Sequence, residues 1–158
     1  MRIPRLHSLF VTACGILSLT LCQPAAANGL SARQSVVKPP PCEALHPPPS
    51  EYATKKRFYK FAHAFMLEKN LTNAFAYIAE NYTNHNPFAD DGFDVAFDFL
   101  APAWPTTNIT LYRTLFKGNM GWLNYNTSSF GEVIDRFRWE KGCIVEHWDV
   151  GETWPTSC

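Results

Sequence analysis

The sequence predicts an α+β domain, because its helical patterns come first and its strand patterns follow. Apolar residues recur at helical spacing in the first half of the domain, whereas four later runs alternate apolar and polar side chains as strands do. This order is typical of helices packed on one face of an antiparallel sheet. At 158 residues, the chain is long enough for one such domain.

The N-terminal residues have the composition of a secretory signal peptide. Arg2 and Arg5 precede an apolar run over residues 8–22, and Ala25-Ala26-Ala27 supplies small residues for cleavage. The apolar run is short for a membrane span. We therefore predict a signal peptide over residues 1–27 and a secreted protein with no membrane partner after cleavage.

A proline-rich leader is predicted over residues 28–49. It contains Pro39-Pro40-Pro41 and Pro47-Pro48-Pro49, which favour an extended chain over a packed element. The folded domain is expected to begin at about Ser50 and to cover residues 50–158.

Three helices are predicted at the start of this domain. Ser50 is suited to cap the first, whose inner face carries Phe58, Phe61, Ala62, Phe65 and Met66. A second helix, capped by Asn70 or Thr72, is expected to run to about Tyr82. A third is expected over Phe93–Leu100, after the capping residues Asp90-Asp91.

Four strands are predicted in the second half, joined by short turns. Their expected bounds are Ile109–Phe116, Met120–Thr127, Val133–Trp139 and Cys143–Val150.

The last two strands form a predicted hairpin, and its register decides which side chains share a face. A three-residue loop, Glu140-Lys141-Gly142, would pair Asp135 with His147 on one face and Arg136 with Glu146 on the other. The acid beside the imidazole is a candidate proton-transfer pair. A cross-strand polar pair that merely satisfies itself inside the fold is an equally good interpretation, and Arg136 with Glu146 is expected to be structural.

The charge of the chain argues against a nucleic-acid partner. Without Arg2 and Arg5, 12 of the 14 Lys and Arg residues remain against 14 Asp and Glu residues, so we expect no nucleic-acid partner.

Cleavage of the signal peptide would leave three cysteines. Cys42, Cys143 and Cys158 allow three disulfide pairings. We favour Cys42–Cys158, because these residues flank the domain.

Export would also expose asparagine sequons to glycosylation. The candidate sites are Asn70, Asn81, Asn108 and Asn126.

Two segments together resemble the SnoaL-like polyketide cyclases, which belong to the nuclear-transport-factor-2-like (NTF2-like) superfamily. They are Tyr82-Thr-Asn-His-Asn-Pro87 and the closing Asp135-Arg-Phe-Arg and Gly142-Cys-Ile-Val-Glu-His-Trp-Asp149. The resemblance covers roughly residues 50–150. It implies a cone-shaped barrel, in which a strongly bent antiparallel sheet wraps around the helices, with a deep apolar pocket and a homodimer formed through the sheet.

The resemblance also implies a reaction that needs neither metal nor cofactor and uses an acidic residue as general acid and base. By its place in the penultimate strand, Asp135 takes that role, with His147 and His85 assisting. A small apolar carbonyl compound would then lie against an aromatic wall. The wall residues would be Phe88, Trp104, Trp122, Tyr125 and Phe137.

The sequence therefore predicts a secreted cyclase-type or isomerase-type enzyme. The competing hypothesis is a non-catalytic secreted protein that uses the same pocket for an apolar ligand, or the sheet for a partner.

Overall fold

Helices precede a five-stranded mixed sheet in the computed structural model, which describes residues 36–156. The predicted signal peptide, the start of the leader and Cys158 lie outside these residues. The elements are α1 (Glu51–Ala62), which continues into a π-helical turn (His63–Leu67), α2 (Leu71–Phe75), β1 (Ile78–Asn84), α3 (Phe93–Leu100), a 3₁₀ turn (Trp104–Thr106), β2 (Ile109–Lys117), β3 (Met120–Thr127), β4 (Gly131–Glu140) and β5 (Cys143–Trp148). The strand order is β1-β5-β4-β3-β2, with β1 parallel to β5 and the other neighbours antiparallel.

The first helix begins where the sequence predicts. The Ser50 hydroxyl accepts a hydrogen bond from the Ala53 backbone N–H at 3.3 Å, which satisfies one of the free amides of the first turn. Phe58 and Phe61 face the interior and are almost fully buried. The four predicted strands are confirmed to within a few residues at each end.

The second predicted helix is wrong beyond Phe75. Residues 78–84 form β1, which pairs with β5 and turns the expected antiparallel sheet into a mixed one. Ile78 and Tyr82 are both buried and lie four residues apart, which mimics helical spacing. Positions four residues apart also share a face in a strand, so this spacing does not distinguish the two structures, and Glu80 between them is exposed.

The third helix has the predicted bounds but a different cap. Gly92, with φ of 109°, occupies the N-cap position and provides no side-chain hydrogen bond. Asp91, which we expected to cap this helix, instead accepts a hydrogen bond from the Asn84 backbone N–H at 2.7 Å. The loop between β1 and α3 is thereby tied to the end of β1.

The leader residues that the structure describes pack onto the domain. The Cys42 N–H donates to the Ile78 carbonyl at 2.7 Å, and the Leu45 N–H donates to the Lys141 carbonyl at 2.9 Å. The packed unit therefore includes Val36–Pro49, upstream of the boundary predicted at Ser50.

This packing brings the two disulfide cysteines together. Cys42 lies in a parallel bridge with Ala79 of β1, and Ile78 of β1 is paired with Ile144 of β5, next to Cys143. Cys42 is bonded to Cys143, so the predicted Cys42–Cys158 disulfide is wrong. The prediction placed Cys42 outside the folded domain, whereas the leader packs beside β1 and the start of β5.

Aromatic rings fill the space between the helices and the inner face of the sheet. The buried rings include Phe58, Phe61, Phe65, Phe75, Phe93, Phe97, Trp104, Phe116, Phe137 and Trp139. Several stack or meet edge to face, as Phe65 and Trp104 do at 4.3 Å between ring centroids. Within residues 36–156, no helix combines the length and the apolar character needed to cross a membrane.

Candidate acid/base site

The β4–β5 hairpin has a tighter turn than the sequence predicts. Lys141 and Gly142 alone form the turn, with φ of 49° and 86°, and the strands then shift by one residue at a bulge between Arg138 and Trp139. His147 is therefore paired with Phe137 rather than with Asp135. The shorter turn and the bulge each move the register by one residue, and together they restore the predicted faces.

Asp135 and His147 consequently meet as diagonal neighbours on the inner face. Nε2 of His147 lies 3.2 Å from Oδ1 of Asp135. Asp135 is only 3% exposed, and its other oxygen accepts a hydrogen bond from the Tyr125 hydroxyl at 3.0 Å. The predicted Asp–His contact is thus present, with Tyr125 as a third member.

Asn84, at the end of β1, fixes the His147 ring. Its Oδ1 lies 3.0 Å from Nδ1 of His147, while its Nδ2 donates to the Ala89 carbonyl at 2.9 Å. These partners assign a proton to Nδ1 of His147. Nε2 of His147 then faces Oδ1 of Asp135, and this contact is a hydrogen bond when a second proton lies between the two atoms.

Tyr82 lies against this pair from the β1 side. Its ring stacks on the His147 ring at 6.3 Å between centroids. Burial, followed by the negative charges of Asp135 and Asp149, raises the pKa of Tyr82 well above its ordinary value. Burial and Asp135 raise the pKa of Tyr125 in the same way, so both phenols stay protonated.

Asp149 completes the polar cluster just beyond the end of β5. Its carboxylate and the polar atoms of Asp135 and His147 lie within 4.8 Å of one another. Asn86 donates from Nδ2 to Asp149. Sequence reasoning missed Asp149, although its spacing of two residues from His147 is the strand period that places side chains on one face.

His85 does not join this cluster. It lies on the outer side of the sheet, where its Nε2 is 2.8 Å from Oε1 of Glu146 and its ring stacks on Trp148 at 4.8 Å. His85 therefore lies on the opposite face of the sheet from Asp135, and no direct contact between the two side chains supports the predicted assistance of His85.

The predicted Arg136–Glu146 ion pair is wrong, since the register shift moves each residue to a new partner. Glu146 binds Arg138 at 2.6 Å, and Arg136 binds Glu152 at 2.8 Å and lies over the Trp148 ring. Burial acts to raise the pKa of Glu146, but hydrogen bonds from His85 and Arg138 outweigh it and hold that pKa below the ordinary value of 4.5.

The predicted aromatic wall is divided between different surroundings. Trp104, Tyr125 and Phe137 are buried in the interior, and the Phe137 ring stacks on His147 at 4.8 Å. Phe88 is 72% exposed, and Trp122 is paired with Arg136 on the outer face.

Where a deep apolar pocket was expected, the rings of Tyr82 and Phe137 stack against His147. Two surface grooves, of about 590 and 540 Å³, lie elsewhere. One runs beside Tyr59 and Tyr77 of the helical side, and the other lies beside Pro40 of the leader.

The four sequons differ in their exposure. Asn81 and Asn108 are exposed, whereas Asn70 and Asn126 are partly buried. Asn70 also caps α2, where its Oδ1 accepts a hydrogen bond from the Asn73 N–H at 3.0 Å.

Comparison with known proteins identifies the fold. No protein family's sequence profile matches the chain, and no curated protein matches it. Among solved structures, a SnoaL-like protein of unknown function from Burkholderia thailandensis E264 superposes with a TM-score of 0.53 at 11% identity, over 65% of this chain and 96% of that one. An NTF2-like protein of unknown function from Burkholderia xenovorans LB400 gives a TM-score of 0.53 at 11% identity, over 63% and 82%.

A third structure leads to the same conclusion. An NTF2-like protein of unknown function from Cytophaga hutchinsonii ATCC 33406 superposes with a TM-score of 0.51 at 19% identity, over 61% of this chain and 87% of that one. The chain has the fold that these NTF2-like and SnoaL-like structures share, as the sequence resemblance predicted.

Proposed function

We propose that this protein is an acid/base enzyme that acts on a small carbonyl compound, with Asp135 and His147 as its proton-transfer pair. The observation that carries the proposal is the chain of contacts from Tyr125 through Asp135 to His147 and Asn84. It brings a carboxyl group and an imidazole within 3.2 Å of one another, at a place largely shielded from water.

The proposed reaction moves a proton from carbon to the pair and back. Oδ1 of Asp135 accepts the proton from the carbon next to the carbonyl group, and Nε2–H of His147, released from Asp135 by that transfer, donates a hydrogen bond to the forming enolate oxygen instead. The proton then returns to carbon at the same or at a different position, so no net oxidation or reduction occurs. Tyr125 keeps the carboxylate oriented through its hydrogen bond to Oδ2.

Access to the pair determines the size of the substrate. The His147 side chain is 12% exposed and that of Asp135 only 4%. Since packed rings occupy the interior, we infer that the substrate approaches His147 from the sheet end that carries Asn84 and Asp149. It is therefore a compound of few atoms rather than a fused polyketide.

The proposal can be tested before a substrate is known. A panel of small ketones, keto acids and aldehydes is incubated with the protein in D₂O, and exchange of the hydrogens next to the carbonyl group is followed by ¹H NMR. We expect Asp135→Asn to lose at least about 100-fold of any exchange rate above buffer. Glu152→Gln, on the outer face, is the matched control and should retain the rate.

Absence of exchange with every compound, or an Asp135→Asn variant that folds and keeps the full rate, would contradict the assigned role. A circular dichroism spectrum of each variant separates loss of chemistry from loss of fold.

The packed interior favours a second candidate function, a non-catalytic binding protein. Every polar atom of the Asp135–His147 pair already has an intramolecular partner, as expected for a structural element. Native mass spectrometry of protein from its own culture medium distinguishes the two. A stoichiometric, unaltered ligand or partner supports the binding protein, and a bare chain that exchanges added carbonyl compounds supports the enzyme.

We further propose that the protein is exported, loses residues 1–27, carries glycans and forms a homodimer through its sheet. The signal-like N-terminus and the sequons support the first three points. The fold resemblance supports the last.

A further inference from the structure

We propose that Asp135, His147 and Asp149 form a binding site for a divalent transition metal ion of the Zn²⁺ type. The inference shares residues with the proposed function but does not require its chemistry. It departs from the expectation, drawn from the sequence, that no metal is bound.

The positions of the three ligand groups support the site. One carboxylate comes from β4, the imidazole from β5, and the second carboxylate from the turn after β5, and their ligand atoms lie within 4.8 Å of one another. Nε2 of His147 and Oδ1 of Asp135 are 3.2 Å apart. For an ion about 2.1 Å from both atoms, the ligand–metal–ligand angle would be about 99°, between the octahedral and tetrahedral values.

Asp149 needs only a small adjustment to join them. Ligand atoms of a tetrahedral ion at this distance are about 3.4 Å apart, so a spread of up to 4.8 Å closes by about 1.4 Å or less. Asp149 is partly exposed, and rotation of its side chain is sufficient for this movement.

Each ligand also has the outer partner that metal ligands in proteins require. Asn84 accepts from Nδ1 of His147, which leaves Nε2 directed at the site. Tyr125 holds the far oxygen of Asp135, and Asn86 holds Asp149. A cation would take the place of the proton between His147 and Asp135.

Tyr82 closes one side of the site. It is 5% exposed, and its ring stacks on that of His147 at 6.3 Å between centroids. The site is therefore shielded from water on the β1 side, which strengthens the attraction between a cation and the two carboxylates.

The composition of the site favours a particular class of ion. An imidazole ligand suits zinc and its neighbours in the first transition row, whereas Mg²⁺ prefers oxygen ligands in near-ideal octahedral geometry. Zn²⁺ is therefore the probe, and Mg²⁺ is the selectivity control.

Isothermal titration calorimetry tests the site without any substrate. The full chain, with its disulfide intact, is treated with EDTA, dialysed and titrated with ZnCl₂ and then with MgCl₂. We expect one Zn²⁺ per chain and at least 10-fold weaker binding of Mg²⁺. Asp149→Asn should bind Zn²⁺ at least 10-fold more weakly, whereas Asp90→Asn, which changes an exposed acid in the nearby loop, should bind as the wild type does.

Absence of stoichiometric Zn²⁺ binding by the wild type overturns the proposal, as does Asp149→Asn binding as tightly as Asp90→Asn. If Asp149→Asn does not fold, the ¹⁵N shifts of the His147 ring in the wild type decide the question. A Zn²⁺-dependent shift at Nε2 supports the site, and unchanged ring shifts overturn it. Either result leaves the exchange assay of the proposed function to be decided by its own outcome.

Discussion

Removal of the Cys42–Cys143 disulfide should be among the most damaging changes to this domain. The bond joins the leader to the start of β5 and closes a loop with a sequence separation of 101 residues. In the chain-entropy account, a cross-link over that separation disfavours the unfolded state by about 4.7 kcal/mol at 25 °C. Measured effects are usually smaller, so we expect Cys42→Ala/Cys143→Ala to lose about 2–5 kcal/mol of the free energy of unfolding.

Such a loss is a large share of the total, because domains of this size are stable by about 5–15 kcal/mol. The measurement is urea unfolding at 25 °C, followed by tryptophan fluorescence, for the wild type, the double variant and Cys158→Ala. Cys158→Ala is the control and should unfold as the wild type does. A double variant within about 1 kcal/mol of the wild type, or an equal loss in Cys158→Ala, would refute the reasoning.

Three further predictions concern packing, pH and modification. Gly121→Ala should cost about 1–3 kcal/mol in urea unfolding, because a Cβ there would lie 2.5 Å from ring atoms of Phe58; an unchanged midpoint would contradict the packing. Because the pKa of Glu146 is lowered by folding, its contribution to stability is present above the ordinary value of 4.5 and is lost as the pH falls through the lowered pKa. Glu146→Gln should therefore be less stable than the wild type at neutral pH, and unfolding curves should converge in acid; a constant gap would argue against it. In exported protein, glycopeptide mass spectrometry should find glycans at the exposed Asn81 and Asn108, and finding both bare would oppose the prediction.

The strands of the second half could be predicted from the sequence because short glycine-containing turns separate runs rich in β-branched and aromatic residues, although β2 has a register irregularity between Leu111 and Arg113. β3 has the predicted bounds, Met120–Thr127. β1 could not be predicted in this way, since its two buried positions, Ile78 and Tyr82, lie four residues apart as in a helix, and its partner, β5, lies more than sixty residues further along the chain. The pattern of neighbouring residues can indicate a strand, but it does not indicate which distant segment the strand pairs with in parallel.

The candidate site was predictable to a similar degree. The face shared by Asp135 and His147 was predicted despite the wrong turn length, because the bulge between Arg138 and Trp139 offsets the shorter turn. Asn84 and Tyr82 were out of reach, because both belong to the misassigned β1. The disulfide was mispredicted for a related reason, as proline content describes the stiffness of the leader but not the surface on which it lies.

The two-residue turn between β4 and β5 has a consequence for how this chain tolerates length changes. One inserted residue at Lys141-Gly142, if not absorbed by the loop, would rotate β5 by half a repeat, directing its imidazole to water and its tryptophan into the packed rings. Two inserted residues would return both side chains to their own sides. Homologous hairpins that retain this chemistry should therefore differ in length here by even numbers, or carry a second bulge that compensates for an odd one.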